Sequence, residues 1–309
     1  MSELLSAGQM SYYAGWFLKS KVGSKKPLVN TMIITFQCNL KCKHCSISGN
    51  ADKIPSPIQI SWEDALREMR DFYEEGARVL FFEGGEPTLW KEGDKDLGDL
   101  IKAGRNIGYF VIGYTTNGTT HFFEESDVIS ISLDGPRQVH DMIRGEGVYD
   151  KLMANLERTD HPNIFANMTI MQQNKDVVRA TAEIVKGNTH IRGLMLNFIT
   201  PPPQDIVLSL KEKTKVVDEA LKLKKEGYPL LNTVRSLNDL LQEDFGEECP
   251  HWVSAFVLPD CSHYYGCPMQ NTPSCKQCGF DAVREYRLIT KGNVGAIRDM
   301  SKRFAYSKQ

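Results

Sequence analysis

The sequence lacks several features that would place it in a specialised class of protein. No apolar run approaches the roughly 20 residues needed to cross a bilayer, so we expect no transmembrane helix. No basic excess is present, since 37 basic and 39 acidic residues leave a formal net charge of −2, and we expect no nucleic-acid partner. Residues 1–28 lack a basic segment followed by a compact apolar core, so we expect no signal peptide and a cytoplasmic location.

Cysteine is absent between Cys45 and Cys249, although the chain contains eight cysteines. In a reducing compartment, clustered cysteines indicate metal binding or catalysis more often than disulfides. The first group has the spacing C-x3-C-x2-C and comprises Cys38, Cys42 and Cys45. The second group has the spacing C-x11-C-x5-C-x7-C-x2-C and comprises Cys249, Cys261, Cys267, Cys275 and Cys278. This segregation predicts two separate sites.

From residue 29 onward, short apolar runs alternate with helical patterns in a sixfold repeat. Connections of this length imply parallel strands, because a tight turn cannot join parallel neighbours. The repeat leaves open whether the sheet is doubly wound or curls into three quarters of a barrel. The predicted strands are 31–36, 78–82, 109–115, 128–133, 164–171 and 193–199. The predicted helices are 61–75, 96–106, a short one near 121–125, 148–159, 175–186 and 208–225.

The two ends of the chain differ from the repeat. Residues 3–20 carry a loose helical stripe of apolar side chains followed by a basic turn, which indicates a helix that docks on the body or lies at a membrane surface. Another helix is predicted at 236–245, ahead of the cysteine-rich tail. We therefore divide the chain into an amino-terminal helix with its basic turn (1–28), the repeat (29–230) and a cysteine-rich extension (231–309).

The first three cysteines come where the first predicted strand meets its loop, and active sites of parallel α/β folds lie at the carboxyl ends of strands. Three thiolates are one short of a closed zinc site and of the four that normally hold a [4Fe–4S] cluster. A cube held by three cysteines leaves one iron open to a small molecule. A zinc site would need a fourth ligand, and His44, the nearest candidate, is badly placed because it adjoins Cys45.

The string CNLKCKHC at 38–45 resembles the signature of the radical S-adenosylmethionine (radical SAM) superfamily. Further motifs follow in the order usual for that family, and together they are specific. They are GGEPT at 84–88, TTNG at 115–118, SLDG at 132–135, HDMIRG at 140–145 and LNFITP at 196–201. The resemblance covers about residues 29–227 and implies an α/β fold, a partial (β/α)6 TIM-like barrel. His44 stands where the family commonly has an aromatic residue.

The resemblance implies a cofactor pair. Cys38, Cys42 and Cys45 would hold a [4Fe–4S] cluster whose open iron chelates the amino and carboxylate groups of S-adenosylmethionine. The reduced cluster would cleave that molecule to a 5′-deoxyadenosyl radical, which takes hydrogen from an inert carbon.

The resemblance also implies which residues contact S-adenosylmethionine. Gly84 and Gly85 would let the backbone approach it closely, since neither has a Cβ, while Glu86 would accept a hydrogen bond from its ammonium group. Arg144 would pair with its carboxylate. The remaining candidates are Pro87, which would stiffen the turn, Ser132 and Asp134, which would bind the cofactor or cap a turn, and Asn117, Asn167 and Thr169.

The tail resembles the extensions called SPASM and twitch, which hold auxiliary iron–sulfur clusters. There a cysteine, an apolar strand, an Asp-Gly turn and a second cysteine follow one another, and here Cys261 replaces the turn glycine. We expect one auxiliary [4Fe–4S] cluster, with Cys249, Cys267, Cys275 and Cys278 as ligands. Cys261 is then an extra thiol, unless it displaces Cys249. A zinc knuckle is the alternative.

An auxiliary cluster suits oxidative chemistry, so we expect an enzyme that modifies a ribosomal peptide or protein side chain, with a reductant such as ferredoxin or flavodoxin. An alternative substrate is an isoprenoid or hopanoid lipid, with peripheral membrane contact through the amino-terminal helix. A catalytically silent iron–sulfur or zinc scaffold is the third hypothesis.

Overall fold

A computed structural model describes residues 6–45, 57–200, 205–242 and 244–298 of the 309-residue chain. Its strands, numbered along the chain, are β1 (Val29–Thr35), β2 (Val79–Gly84), β3 (Lys91–Glu92), β4 (Lys95–Asp96), β5 (Val111–Thr116), β6 (Val128–Ser132), β7 (Ile164–Ile170), β8 (Ile191–Phe198), β9 (Ser254–Val257) and β10 (His263–Tyr265). Its helices are α1 (Ala7–Lys21), α2 (Trp62–Glu75), α3 (Leu97–Ile107), α4 (Arg137–Arg144), α5 (Val148–Leu156), α6 (Val178–Gly187), α7 (Leu210–Lys225), α8 (Val234–Asp239) and α9 (Asp281–Thr290).

One twisted sheet organises the described residues, in the order β10-β9-β1-β2-β5-β6-β7-β8. The six strands from β1 to β8 in this order are parallel, and helices connect most of them, as the sixfold repeat predicts. A separate hairpin pairs β3 with β4. This arrangement is the predicted partial barrel.

All six predicted strands are confirmed, with ends that differ by at most two residues. The short helix predicted near 121–125 is wrong. There the backbone N–H of Phe123 donates to the hydroxyl of Tyr114 at 2.9 Å, and the segment forms an irregular turn. The helix predicted at 236–245 begins earlier and already ends at Asp239. Helix α4 was not predicted.

The two faces of the strands have different roles, because successive side chains of a strand point to opposite sides. One face packs against the helices in a continuous apolar core that includes Met32, Leu80 and Phe82. The intervening residues, such as Ile33 on β1 and Glu83 on β2, line the concave face. This concave face is called the lumen below.

The carboxyl-terminal segment contacts both edges of the barrel. Strand β9 adds to β1 in parallel, and β10 pairs with β9 in antiparallel fashion. At the other edge, the N–H of Phe198 donates to the carbonyl of Gly279 at 3.0 Å, and the N–H of Asp281 donates to Asn197 Oδ1 at 2.7 Å. The extension therefore shares hydrogen bonds with both the first and the last strand of the barrel.

Helix α1 docks on the body through its aromatic residues. The Trp16 ring lies 5.3 Å from that of Trp252, and the Tyr12 hydroxyl donates to the carbonyl of Gly76 at 2.6 Å. Trp16 is buried as a result. None of the helices in the described ranges has the length and apolarity that a membrane span requires.

Candidate functional site

The first three cysteines lie in the loop after β1, called the cysteine loop (residues 38–45). Cys38 is exposed, whereas Cys42 and Cys45 are half-buried. The N–H of Cys45 donates to the carbonyl of Cys42 at 3.1 Å, which folds the loop on itself. Burial raises the pKa of Cys42 to about 11, although Arg144 opposes the shift, and burial also raises the pKa of Cys38. Such thiols ionise when a metal replaces the proton.

The glycines of GGEPT lie against the residues that lead from β1 into the cysteine loop. The N–H of Gly85 donates to the carbonyl of Thr35 at 2.8 Å, and that of Glu86 donates to Gln37 at 2.7 Å. A Cβ on Gly84 would lie 2.1 Å from the Thr35 carbonyl oxygen, and one on Gly85 would lie 2.2 Å from that of Gln37. These positions therefore require glycine because two backbones meet, while their approach to S-adenosylmethionine stays a prediction.

Glu86 is fully buried and accepts hydrogen bonds from two strand ends. Its Oε1 accepts from the hydroxyls of Thr88 at 2.7 Å and Thr116 at 2.8 Å, and its Oε2 accepts from the N–H of Asn117 at 2.7 Å. Pro87 begins a short 3-10 turn. Burial raises the pKa of Glu86 in spite of these bonds. The carboxylate holds the loops after β2 and β5 together, and its predicted contact with an ammonium group remains a prediction.

Asn117 brings the loop after β5 onto the cysteine loop. Its side-chain Nδ2 donates to Asn39 Oδ1 at 2.9 Å and lies 3.9 Å from Cys38 Sγ. The N–H and hydroxyl of Thr119 donate to its Oδ1 at 2.9 and 2.6 Å, which fixes the amide orientation. Asn117 thus contacts a candidate cluster ligand.

Asp134 and Arg144 form a buried ion pair beside the cysteine loop. Arg144 Nε lies 2.6 Å from Asp134 Oδ2, and the N–H of Thr169 donates to Asp134 Oδ1 at 2.9 Å. Burial opposes the charged form of Asp134, but the charge of Arg144 leads the effects that hold its pKa below the usual value. The guanidinium also interacts with Cys42 and Cys45. Its predicted pairing with a ligand carboxylate stays a prediction.

Two imidazoles present buried nitrogen atoms near the ion pair. His44 Nδ1 and His140 Nε2 have no hydrogen-bond partner among the described residues. Burial lowers the pKa of each to about 4, so both rings are neutral at pH 7. Buried polar atoms in native proteins are usually bonded, and unpaired ones beside a site mark positions that a polar ligand can satisfy.

The three thiols of the cysteine loop are a donor set that an iron–sulfur cluster can use. Within the described ranges, no three His, Cys, Asp or Glu side chains converge as the ligands of one metal ion do. Each cysteine of a four-iron cube binds its own iron, so its ligands need not converge on one point. The three thiols, the cation of Arg144 and the unpaired nitrogens are consistent with a cluster and a polar cofactor.

The remaining predicted residues lie in the lumen. Ser132 on β6 is in register with Asn167 on β7, and Asn167 Oδ1 accepts from Asn197 Nδ2 at 2.7 Å. Thr169 is two residues along β7 and shares this face. Asn197 Oδ1 also accepts a hydrogen bond from the N–H of Asp281, so these polar lumen side chains are connected to the carboxyl-terminal extension.

The prediction missed two lumen residues, Glu83 and Asn197. Glu83 Oε1 accepts from the Thr115 hydroxyl at 3.3 Å, and burial raises its pKa. The sequence did contain a signal for Glu83, because it lies directly before GGEPT and two residues after Phe81, so it shares the strand face of Phe81. Asn197 belongs to LNFITP, which the resemblance assigns to the loop that passes the adenine.

The second group of cysteines divides into four and one. Cys249, Cys267, Cys275 and Cys278, the quartet, interact electrostatically with one another. Burial, followed by these neighbours, raises the pKa of Cys249 to about 12.

Cys261 lies apart from the quartet, against α2. Its sulfur accepts from Arg67 Nη2 at 3.3 Å, and its electrostatic neighbours are Asp64, Glu68 and Arg67. Its φ of 63° occupies the left-handed region at the turn where related extensions have glycine. These contacts agree with the expectation that Cys261 is the extra thiol of the group, and its inclusion among the metal ligands stays a prediction.

Comparisons with known proteins agree with this geometry. The chain is 29% identical over 224 residues to Fe-coproporphyrin III synthase of Methanosarcina barkeri, covering 66% of this chain and 54% of that protein. It is 28% identical over 180 residues to the sporulation killing factor maturation protein SkfB of Bacillus subtilis, covering 54% and 41%. The chain thus spans about half the length, or less, of these relatives.

The fold has solved counterparts. The crystal structure of Streptococcus suis SuiB bound to precursor peptide SuiA matches with a TM-score of 0.62 and 14% identity, covering 94% of this chain and 70% of that one. The model of the Radical SAM superfamily matches residues 32–185, from β1 to α6. Since this match includes the cysteine loop and four of the strand ends that surround it, residues 32–185 form a radical SAM domain.

Proposed function

We propose that this chain is a radical SAM enzyme whose cysteine loop holds a [4Fe–4S] cluster through Cys38, Cys42 and Cys45. When bound, the cluster and S-adenosylmethionine supply a radical that can take hydrogen from an unreactive carbon. The observation that carries the proposal is that three loops meet at the cysteines. The loop after β2 donates to Gln37, next to the cysteine loop, and the loops after β5 and β6 contact the cysteine loop or act on its sulfurs.

The protein's own residues have distinct roles in this proposal. The positive charge of Arg144 stabilises the thiolates of Cys42 and Cys45, and the Asn117 amide lies against the sulfur of Cys38. Glu86 is a positioning residue, because it fixes the backbone of Asn117. The unpaired nitrogens of the two buried imidazoles are available to a polar cofactor.

We propose a second, auxiliary cluster at the quartet. The four thiols of the quartet interact with one another, whereas the electrostatic neighbours of Cys261 lie on α2. Four is the number of cysteines that normally holds a closed [4Fe–4S] cluster. The segment that carries them is attached to the last barrel strand through Gly279 and Asn197. An auxiliary cluster there would be close to the lumen and could accept an electron from a substrate radical.

We infer that the substrate is a peptide or protein side chain. Towards the carboxyl ends of the strands the lumen carries hydroxyls, amides and one carboxylate, from residues Glu83, Thr115, Ser132, Asn167, Thr169 and Asn197. Such a lining suits the N–H groups and polar side chains of a peptide. SuiB, which shares the fold, is known bound to a precursor peptide, and SkfB is a maturation protein.

Two other substrate classes fit this lining less well. A porphyrin, the class named for the Methanosarcina barkeri relative, has a broad apolar macrocycle that the hydroxyls and amides of this lining would not match. A membrane lipid would need an approach surface, but the aromatic face of α1 is already packed on the body through Tyr12 and Trp16.

The activity is tested with the anaerobically reconstituted chain, dithionite and S-adenosylmethionine. We expect 5′-deoxyadenosine from the wild-type chain and from Cys261→Ala, but none from Cys42→Ala. No product from the wild-type chain would show a silent scaffold. Equal yields from wild type and Cys42→Ala would show that the product does not come from a cluster at the cysteine loop, which would also contradict the proposal.

The substrate class is tested by adding peptides or liposomes to the same reaction. We expect a peptide substrate to raise the yield of 5′-deoxyadenosine and the chain not to float with liposomes. Flotation that is lost when the exposed Met10 and Leu18 of α1 are replaced by glutamate would support a lipid substrate instead.

A further inference from the structure

Arg284 is a fully buried cation in the first turn of α9. Its Nε donates to the carbonyl of Asp239 at 3.0 Å, its Nη1 to that of Phe280 at 2.8 Å and its Nη2 to that of Cys278 at 2.7 Å. Nη1 also lies 3.7 Å from Cys278 Sγ. The guanidinium carbon lies 4.2 Å from the ring centroid of Phe245, which covers the remaining face.

These hydrogen bonds of Arg284 go to three carbonyls and to one sulfur, that of Cys278. A buried charge is costly because it loses its hydration, and a nearby anionic group offsets part of that cost. Such a position is stable when an anionic group lies next to it.

Arg287, one turn further along α9, provides an internal comparison. It lies under the same aromatic ring, 5.5 Å from the Phe245 centroid. Its Nη1 lies 2.9 Å from Asp239 Oδ2 and its Nη2 lies 2.5 Å from Glu248 Oε2. The charge of Arg287 is therefore compensated by carboxylates, whereas Arg284 faces the quartet, where its charge acts on Cys249.

We infer that Arg284 is a positioning residue for the auxiliary cluster, supplying its counter-charge and a hydrogen bond to the sulfur of Cys278. The inference rests on the cluster proposed at the quartet. A cluster held by four thiolates becomes more negative when it accepts one electron, so an adjacent fixed cation favours the reduced form. Net charge and hydrogen bonds to the sulfurs are among the factors that set the reduction potential of such clusters.

The test measures the reduction potential of the auxiliary cluster alone. The 309-residue chain with Cys38, Cys42 and Cys45 replaced by alanine is reconstituted, poised at a series of potentials and followed by electron paramagnetic resonance. In this background, Arg284→Gln should lower the ratio of reduced to oxidised cluster about tenfold at a fixed potential, a shift of about 59 mV for one electron. Arg287→Gln is the matched control and should leave the ratio within twofold of the parent.

A third variant separates charge from folding. Arg284→Lys keeps the positive charge, so it should retain iron and remain within threefold of the parent ratio even if Arg284→Gln does not bind iron. The inference is overturned if Arg284→Gln holds the cluster at the parent potential, or if Arg284→Lys loses iron together with Arg284→Gln. A parent chain that binds no iron at the quartet would instead refute the auxiliary cluster of the proposed function.

Discussion

The backbone N–H of Asn117 donates to the buried carboxylate of Glu86 at 2.7 Å, which joins the end of β5 to the end of β2. The side chain of the same asparagine reaches Cys38 Sγ, 3.9 Å away. One carboxylate thus connects two strand ends with the candidate cluster loop. The geometry of the cysteines therefore depends on a residue that does not contact them.

Replacing this carboxylate by an amide should loosen the connection. Glu86→Gln puts an NH2 group where an oxygen now accepts a hydrogen bond, so a buried donor or acceptor loses its partner, which costs about 1–3 kcal/mol. We expect that loss in the free energy of unfolding by denaturant, together with lower iron retention. Glu83→Gln is the control, since Glu83 accepts a single bond at 3.3 Å, and an equal loss in both variants would contradict the role of Glu86.

Glu83 provides a prediction on pH. Burial raises its pKa above the ordinary 4.5, so the folded state holds the proton more tightly than the unfolded state, and stability falls as the pH rises from 4.5 towards the folded pKa. Glu83→Gln removes this cost. The denaturant midpoint of the variant, minus that of wild type, should therefore increase from pH 5 to pH 8. A difference that stays constant or decreases would show that Glu83 is not desolvated.

The packing of GGEPT against the cysteine loop makes Gly85 sensitive to one methyl group. Gly85→Ala would place its Cβ 2.2 Å from the Gln37 carbonyl oxygen, so the two backbones must separate, at a cost of about 3 kcal/mol. Iron binding should fall as well. Gly187→Ala at the end of α6 is the control, because nothing lies within 4 Å of its Cβ, and its stability should be unchanged or slightly increased. Normal iron content in Gly85→Ala would refute the close approach.

Cys261 has the backbone conformation of a glycine. Its φ of 63° costs a side-chain-bearing residue about 1 kcal/mol, which Cys261→Gly should recover in thermal or denaturant unfolding. Cys261→Ala keeps the Cβ and should recover nothing. Both variants should retain the iron content of wild type, and a loss of iron in either would place this thiol among the cluster ligands after all.

The parallel barrel could be predicted because its determinants are local and periodic. Apolar runs of strand length alternate with amphipathic helical stretches, and the connections are too long for hairpins, so the sixfold repeat implies parallel strands. The cysteine spacing identified the first candidate site for a similar reason, since its ligands lie within eight residues. Helix α4 was not predicted because it is short (Arg137–Arg144) and overlaps the HDMIRG motif, which was interpreted as a loop.

The relationships that the sequence could not reveal are those between distant segments. Cys261 and Arg67 are far apart in the chain, and only the pairing of β10 with β9 places this thiol on α2. The buried charge of Arg284 looks like an ordinary surface arginine of an amphipathic helix until the fold closes over it. Likewise Glu83 could be assigned to the lumen only once the register of β2 was known.

The most direct test of the central claim is electron paramagnetic resonance of the reduced first cluster. In the 309-residue chain with Cys275 and Cys278 replaced by alanine, the signal should come from a cluster held by Cys38, Cys42 and Cys45. Adding S-adenosylmethionine should change the spectrum, because the molecule would bind the iron that no cysteine holds. A reduced cluster whose spectrum is the same with and without S-adenosylmethionine would contradict the account.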